Sequence, residues 1–385
     1  MPIFQEQVIQ LVMVAAGFSA GEADQLRRAM ATWKGGAGLG HFRERILQGM
    51  RQRGHDLGFA ERLCHQIEGF GKYGFPESHA ASFAILVYYS AWLKYHLPEA
   101  FYCGLLNAQP MGFYTPAQLL ADAKRHGVTV LPIDVNASEW LSTLEPGQDR
   151  PNLRLGLHLI KGWREEAAQR LIQIRGTEPF RSLSEVRQRT RLSTHDLELL
   201  AGAHAFRALS DSRFDSMWQV ADHEAQLPLL ADQTTESSYT PRTPRLGETL
   251  VADYATTGVS LVAHPMSLLR SKTPFTGCYS AQQLTQLPRH QTIQVTVAGL
   301  VSTRQRPGSA SGVVFLTLED ETGQINCIIW PDKVERYRQL ILSSRLLKAT
   351  GRVQDSHGVI HVIVDQLEDV STWLGPLRVP SRDFH

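Results

Sequence analysis

Residues 69–107 read GFGKYGFPESHAASFAILVYYSAWLKYHLPEAFYCGLLN, and the rest of the chain is arranged around them. The stretch opens on a loop rich in glycine and aromatic residues, Gly69 to Pro76, with Lys72 inside it. A polar hinge, Glu77-Ser78-His79, leads into an apolar run from Ala80 to Leu97 that Pro98 stops. Ser78 is placed to cap a helix, because its hydroxyl can accept a backbone N–H left free at a helix start. Phe83, Leu86, Val87, Ser90 and Ala91 fall at helical spacing, and Ile85, Tyr88, Tyr89 and Trp92 make the remaining side apolar as well. A helix apolar all round is normally buried in a larger body. The expectation is therefore a buried helix that holds a cationic, glycine-softened loop. The run is too short and too interrupted by polar residues to span a membrane.

Upstream, Phe4, Val8, Leu11, Val12 and Ala15 recur at helical spacing, and Gly17 breaks that helix. Ser19 with Glu22 forms a capping box for the next one. Its sequence, GEADQLRRAM, sets Arg27 and Arg28 side by side and ends near Trp33-Lys34-Gly35-Gly36. Two further helices are predicted, from His41 to Gly54 and from Phe59 to Phe70, so residues 1–108 read as helical throughout. By residue type alone, the arginines of this region are solvated faces pairing with Glu44 and Glu61.

The run GFGKYGFPESHAASFAILVYYSAWLKYHLPEAF resembles the fingers region of C-family bacterial DNA polymerases, the alpha subunit of DNA polymerase III. The wording GFPESHAASFA, with Leu106-Asn107-Ala108-Gln109-Pro110-Met111-Gly112-Phe113-Tyr114 after it, is similar to the error-prone, damage-inducible branch. Almost the whole chain can be laid on the C-terminal half of that family. QEQVIQL and GEADQLRRAM look like a fingers motif whose paired arginines lie near the incoming nucleotide. A triphosphate suits the planar donor fork of arginine. The resemblance thus makes Arg27, Arg28, Lys34, Lys72 and His79 candidates for contacting triphosphate or template–primer. For His79 the alternative is a hinge residue that caps or packs. Tyr73 and Phe75 either stack on bases or anchor the loop.

Downstream, residues 109–152 read as a connector, with a short helix from Ala117 to His126 capped at Thr115-Pro116, a strand from Val128 to Ile133, and a turn-rich stretch after Asn136. In residues 153–221, LGLHLIKGWREEAAQRLIQIR resembles the first hairpin of a helix-hairpin-helix module. Such a turn aims backbone N–H groups at a DNA phosphate and positions the protein without reading bases. Lys161, Gly162 and Arg164 are the candidate contacts. Arg164 stands where a second glycine is usual, and a side chain prevents the same close backbone approach. Contact through the arginine itself and a purely structural hairpin both remain open. Residues 222–290 form a linker and connector. Within it Gln226-Leu227-Pro228-Leu229-Leu230 is similar to the family's sliding-clamp-binding peptide, with leucine where an aromatic residue is common. Gln226, Leu227, Leu229 and Leu230 either bind the clamp or pack locally. His264 has no partner at metal spacing and reads as a packed or capping residue.

From residue 291 the pattern turns to β. Ile293, Val295 and Val297 alternate, strands are predicted over 313–319, 324–330, 346–353 and 359–367, and Pro331 starts a helix between the third and fourth. That order is the one expected of an OB-fold barrel, assigned to 291–375 with a tail at 376–385. The fold binds single strands through a basic groove and aromatic platforms, so Arg304, Arg306, Phe315, Trp330 and Arg352 are candidates. Phe315 and Trp330 have barrel filling as their alternative. The fold expected overall is multidomain: an all-α fingers and helix-hairpin-helix region, then a five-stranded OB barrel.

A net charge of +1 carries no global signature of nucleic-acid binding, so any such surface is local. Cys64, Cys103, Cys278 and Cys327 are scattered without metal-knuckle spacing, as expected for reduced thiols in the cytoplasm. The N-terminus has no basic region ahead of its apolar run and is not read as a signal peptide. Nucleotidyl transfer needs divalent metals held by clustered carboxylates. The densest acidic run, Glu319-Asp320-Glu321, sits at a predicted turn and reads as solvated, and Asp122 and Asp134 have no evident partner. The resemblance puts the catalytic aspartates on a palm upstream of these residues. It implies a full enzyme that adds deoxynucleotides across damaged template using Mg²⁺. Its implied partners are DNA, deoxynucleoside triphosphates, the sliding clamp and mutagenesis accessory proteins, with no membrane. The chain alone is expected to hold no catalytic residue and no metal, and to be inactive. The rival reading is a non-catalytic DNA-binding or clamp-associated protein.

Overall fold

The computed structural model describes residues 4–31, 40–70, 76–112, 114–221, 241–288, 293–356, 358–378 and 382–384. The chain divides into two compact units, Met1–Leu97 and Pro98–His385.

The first unit is helical: α1 (Gln5–Ala16), α2 (Ala20–Ala31), α3 (Gly40–Gln52), α4 (Leu57–Phe70) and α5 (Glu77–His96). Val8 and Val12 of α1, Leu26 of α2, Ile46 and Met50 of α3, and Leu63 and Ile67 of α4 form one core. Gly17, at φ +70°, ends α1 in the left-handed conformation that glycine tolerates. The capping box predicted for α2 is present, with the Glu22 amide donating to the Ser19 hydroxyl and the Ser19 amide to the Glu22 carboxylate at 2.7 Å. Gly49 allows α3 to cross close to α1, since a Cβ there would lie 1.9 Å from the Ala16 carbonyl oxygen. Arg45 of α3 and Arg53 just after it take other partners than Glu44 and Glu61. Arg45 reaches Glu22 at 3.2 Å and covers the Phe18 ring, and Arg53 donates to the Val14 carbonyl at 2.7 Å. They tie α3 to the end of α1.

Helix α5 departs from expectation in two ways. It begins at Glu77, with Pro76 rather than Ser78 in the capping position. And none of its residues is buried. Ile85, Leu86, Val87, Tyr88 and Tyr89 are all more than half exposed. The expected burial of this helix is therefore corrected: among the described residues of the first unit, none covers it.

The second unit opens with α6 (Pro98–Asn107) and α7 (Pro116–Arg125), the latter capped by a Thr115–Gln118 box. A small sheet follows, β1 (Val130–Leu131), β2 (Thr143–Glu145) and β3 (Asn152–Arg154), in the order β1-β3-β2. Next come α8 (Glu165–Arg175), α9 (Leu183–Thr190), α10 (Thr194–Gly202) and α11 (Arg213–Ala221). These share a core with Tyr102, Leu106, Leu157, Leu171 and Phe206. Three short helices, α12 (Leu246–Thr256), α13 (Pro265–Leu269) and α14 (Ala281–Thr285), lead to the barrel. His264 caps α13 by accepting the Met266 amide at 3.1 Å, in line with its expected role. The buried Arg213 guanidinium pairs with Asp253, joining α11 to α12. Removing one partner of such a pair costs about 3–5 kcal/mol, because the other charge is left buried alone.

The barrel is β4 (Gln294–Gln305), β5 (Val314–Glu319), β6 (Gln324–Ile329), α15 (Pro331–Arg336), α16 (Arg338–Ser343), β7 (Leu346–Ser356) and β8 (Val359–Asp369). The single predicted helix is broken in two at Tyr337. Strand β4 pairs with β7 through Gln294–Leu300 and with β5 through Leu300–Gln305, which closes the five strands. Gly351 lies opposite a bulge in β8, where Asp365 is the extra residue, and a Cβ at Gly351 would lie 2.1 Å from the Ile363 carbonyl oxygen. A last strand, β9 (Arg382–Phe384), adds in parallel to Thr303–Gln305. Among the described residues no helix is long and apolar enough to cross a membrane.

Candidate nucleic-acid interface

Strands β5 and β6 of the barrel alternate strictly. Val314, Leu316 and Leu318 of β5, and Ile325, Cys327 and Ile329 of β6, point into its core. Burial pushes the Cys327 thiol up to about 12, so it is an inert core residue. The intervening residues face outward, and the register brings them into two rows. One runs Gln305, Phe315, Ile328, Ile363, Arg352. The other runs Thr303, Thr317, Asn326, His361, Gln354. The first thus has an aromatic ring toward one end and a guanidinium at the other, with the half-buried Ile328 and the buried Ile363 between. The second is entirely polar. The extra residue of the β8 bulge, Asp365, is what brings Arg352 opposite Ile363.

Phe315 is 37% exposed and Arg352 is held only loosely, 4.0 Å from Asp365. Neither fills the barrel. Trp330, 51% exposed, continues the outward alternation two residues after Ile328. The His361 ring nitrogen Nδ1, in the polar row, is buried and has no hydrogen-bond partner. An aromatic platform and a cation at opposite ends of one row, with Thr317, Asn326 and Gln354 in the next, suit an unpaired base and its backbone. Thr317, Asn326, Gln354 and His361 were missed in the sequence. Alternation signals which residues face outward, but only the cross-strand register puts them together.

Arg304 stands apart. It is buried, and its guanidinium donates to the carbonyls of Ile341 and Ser344 at the end of α16. Its expected place on the binding face is corrected: those donors hold α16 against β4. Arg306 lies at the rim of a cavity of about 650 Å³ between the β4 end and α15–α16, shared with Glu335 and Arg338.

The predicted hairpin turns at Gly162, with φ +80°, and Trp163 is buried beneath it. Arg164 precedes α8 without capping it, and its side chain is exposed. Glu165 and Glu166 occupy the first turn of α8. Two carboxylates there oppose the attraction of a helix start for phosphate. Lys161 is turned the other way: its ammonium donates to the carbonyls of Tyr254 at 2.6 Å and Ala255 at 3.1 Å, and burial lowers its pKa.

In the first unit, the side chains of Arg27 and Arg28 both donate to Asp24, so one carboxylate offsets part of their charge. The His79 ring lies 4.4 Å from that of Phe83. Lys34, Lys72, Tyr73 and Phe75 fall outside the described residues, as do Gln226, Leu227, Leu229 and Leu230.

The acidic turn is not solvated as expected. Asp320 is buried, accepting the amides of Thr322, Gly323 and Ala281 and an Arg270 donor at 3.0 Å. Arg270 also holds Glu321 at 2.8 Å. These carboxylates are fully committed and do not fit a metal pair. Among the described residues no group of three or more His, Cys, Asp or Glu is placed to hold a metal.

Comparison with known proteins matches three parts of the chain to family models. Residues 1–54 match the bacterial DNA polymerase III alpha subunit finger domain, 127–216 a helix-hairpin-helix motif, and 295–370 an OB-fold nucleic acid binding domain. The whole chain aligns with error-prone DNA polymerases, at 52% identity in Alkalilimnicola ehrlichii and 50% in Teredinibacter turnerae, covering 38% of each. The corresponding protein of Methylococcus capsulatus is 49% identical, also over 38% of its length. The chain is homologous to error-prone DNA polymerases and spans somewhat over a third of the curated relatives it matches.

Proposed function

We propose that this chain is a DNA-holding part of an error-prone DNA polymerase, working with a polymerase portion such as its relatives carry outside the matched span. Together they would extend a primer across damaged template, for damage-induced mutagenesis rather than bulk replication. The observation that carries this reading is the outer face of the barrel, where Phe315, Arg352 and a polar row align across five strands. Homology to error-prone polymerases supplies the setting. Arg27, Arg28, Lys34, Lys72 and His79 are assigned to steering the incoming triphosphate, Arg164 and Gly162 to a duplex phosphate, and Gln226–Leu230 to the sliding clamp. The Mg²⁺ that such chemistry requires is assigned to the other portion, because the densest acidic run has Asp320 and Glu321 engaged by Arg270. The bare helix α5 is the surface on which that portion would pack.

The test is binding of a fluorescently labelled 30-nucleotide single strand, followed by anisotropy. Stacking on one aromatic residue is worth about 1–3 kcal/mol. Phe315→Ala is therefore expected to weaken binding by about fivefold or more, with Arg352→Gln adding a salt-dependent loss. Unchanged affinity in both variants would overturn the assignment of this face.

A further inference from the structure

A second cavity, of about 780 Å³, lies between the hairpin and the barrel, both within the second unit. Its walls come from Lys161 of the hairpin, Tyr254 and Val251 of α12, Arg345 just before β7, and Pro376 with Arg378 beyond the barrel. Three cationic residues from three separate segments thus meet in one concavity. None of them has a carboxylate partner among the described residues. Lys161 is committed to two carbonyls, and Arg345 gives one donor to the Leu377 carbonyl at 2.8 Å. Arg378 is exposed. Uncompensated positive charge gathered in a concave, partly apolar site focuses the field there and attracts an anion.

We infer that this cavity is a backbone-phosphate site, which holds the DNA strand between the hairpin and the outer face of the barrel. The inference rests on the reading proposed above. Strand β7 makes the connection: Arg345 stands at its start and Arg352 lies on the outer face, seven residues on. At about 3.3 Å per residue they are roughly 20 Å apart along the strand. Arg345 thus stands just before β7 and Arg352 past its middle. The cavity is also roomier than one free phosphate needs, which suits a chain of phosphodiesters. Arg345 and Arg378 are the contacts. Lys161 is a positioning residue, fixing the end of α12 as the wall while adding its charge.

The experiment measures the affinity of the full 385-residue chain for a labelled 30-nucleotide single strand over a series of salt concentrations. The comparison is between the native chain, Phe315→Ala, Arg378→Gln, and Arg345→Gln with Arg378→Gln. Each phosphate contact contributes about 0.7 to the slope of log affinity against log salt for single strands. The double variant is expected to lower the slope magnitude by about 1.4 and Arg378→Gln by about 0.7, while Phe315→Ala weakens binding with little change of slope. Arg378 is exposed, so its single variant keeps the test valid even if Arg345→Gln disturbs folding. An unchanged slope in Arg378→Gln and in a folded double variant, with Phe315→Ala still weakened, overturns the cavity and leaves the barrel face standing. If the native chain binds no strand, both fail. Loss of deoxynucleoside triphosphate binding with the strand slope intact would assign the cavity to a free nucleotide and overturn the strand reading.

Discussion

At the scale of single residues, identical side chains were given opposite tasks by their surroundings. Arg304, Arg306 and Arg352 look alike in the sequence, yet Arg304 is buried against the end of α16 while Arg352 lies on the open face. Nothing local to Arg304 announces this, because its acceptors are carbonyls close to forty residues away in the chain. The capping residues were legible, since Ser19, Thr115 and His264 act within three positions of themselves. His204 offers a test at this scale. It holds φ +56°, its Nδ1 is buried without a partner, and burial together with Arg207 and Arg213 lowers its pKa to about 4, against a smaller opposing pull from Asp253. The unfolded chain, with the ordinary value near 6.5, binds the extra proton first. The stability this residue contributes is therefore complete above about pH 6.5 and is lost as pH falls toward 4. Asparagine accepts the left-handed backbone and does not titrate. His204→Asn should show a smaller drop in melting temperature between pH 7 and pH 5 than the native chain. An identical drop would show that the loss comes from other groups.

At the scale of elements, periodicity located the long helices and the barrel strands within a few residues, because each carries its own apolar pattern. The sheet β1-β3-β2 was largely missed, since strands of two or three residues leave no pattern to read and one of them falls in a stretch dominated by turn residues. Helix α5 shows the opposite failure. Its existence was plain, but burial belongs to whatever lies beside a helix, and here its apolar residues face outward. Exposed apolar patches of this size mark surfaces that associate. The folded chain should therefore bind 1-anilinonaphthalene-8-sulfonate, and Val87→Glu with Tyr88→Glu should cut the dye fluorescence while leaving the melting temperature nearly unchanged. Surface substitutions usually cost no more than about 0.5 kcal/mol. A fall of many degrees would mean that α5 is packed within the chain after all.

At the scale of the whole molecule, the succession of helical region, hairpin module and barrel was legible, carried by long motifs and by the order of five strands around a helix. The interface was legible only in part. Phe315 and Arg352 were named from residue type, but their alignment with Asn326, His361 and Gln354 depends on pairing between distant strands. The cavity joining Lys161 to Arg345 and Arg378 depends on how hairpin and barrel meet, which no local pattern encodes. In the function proposed, this chain holds DNA and leaves the chemistry to another portion of a polymerase. Primer extension by the purified chain, with Mg²⁺ and all four deoxynucleotides on a labelled primer–template that it demonstrably binds, tests that claim most directly. The expected result is a bound but unextended primer. Extension that persists in highly purified protein, and that is abolished by substituting acidic residues of this chain, would contradict it.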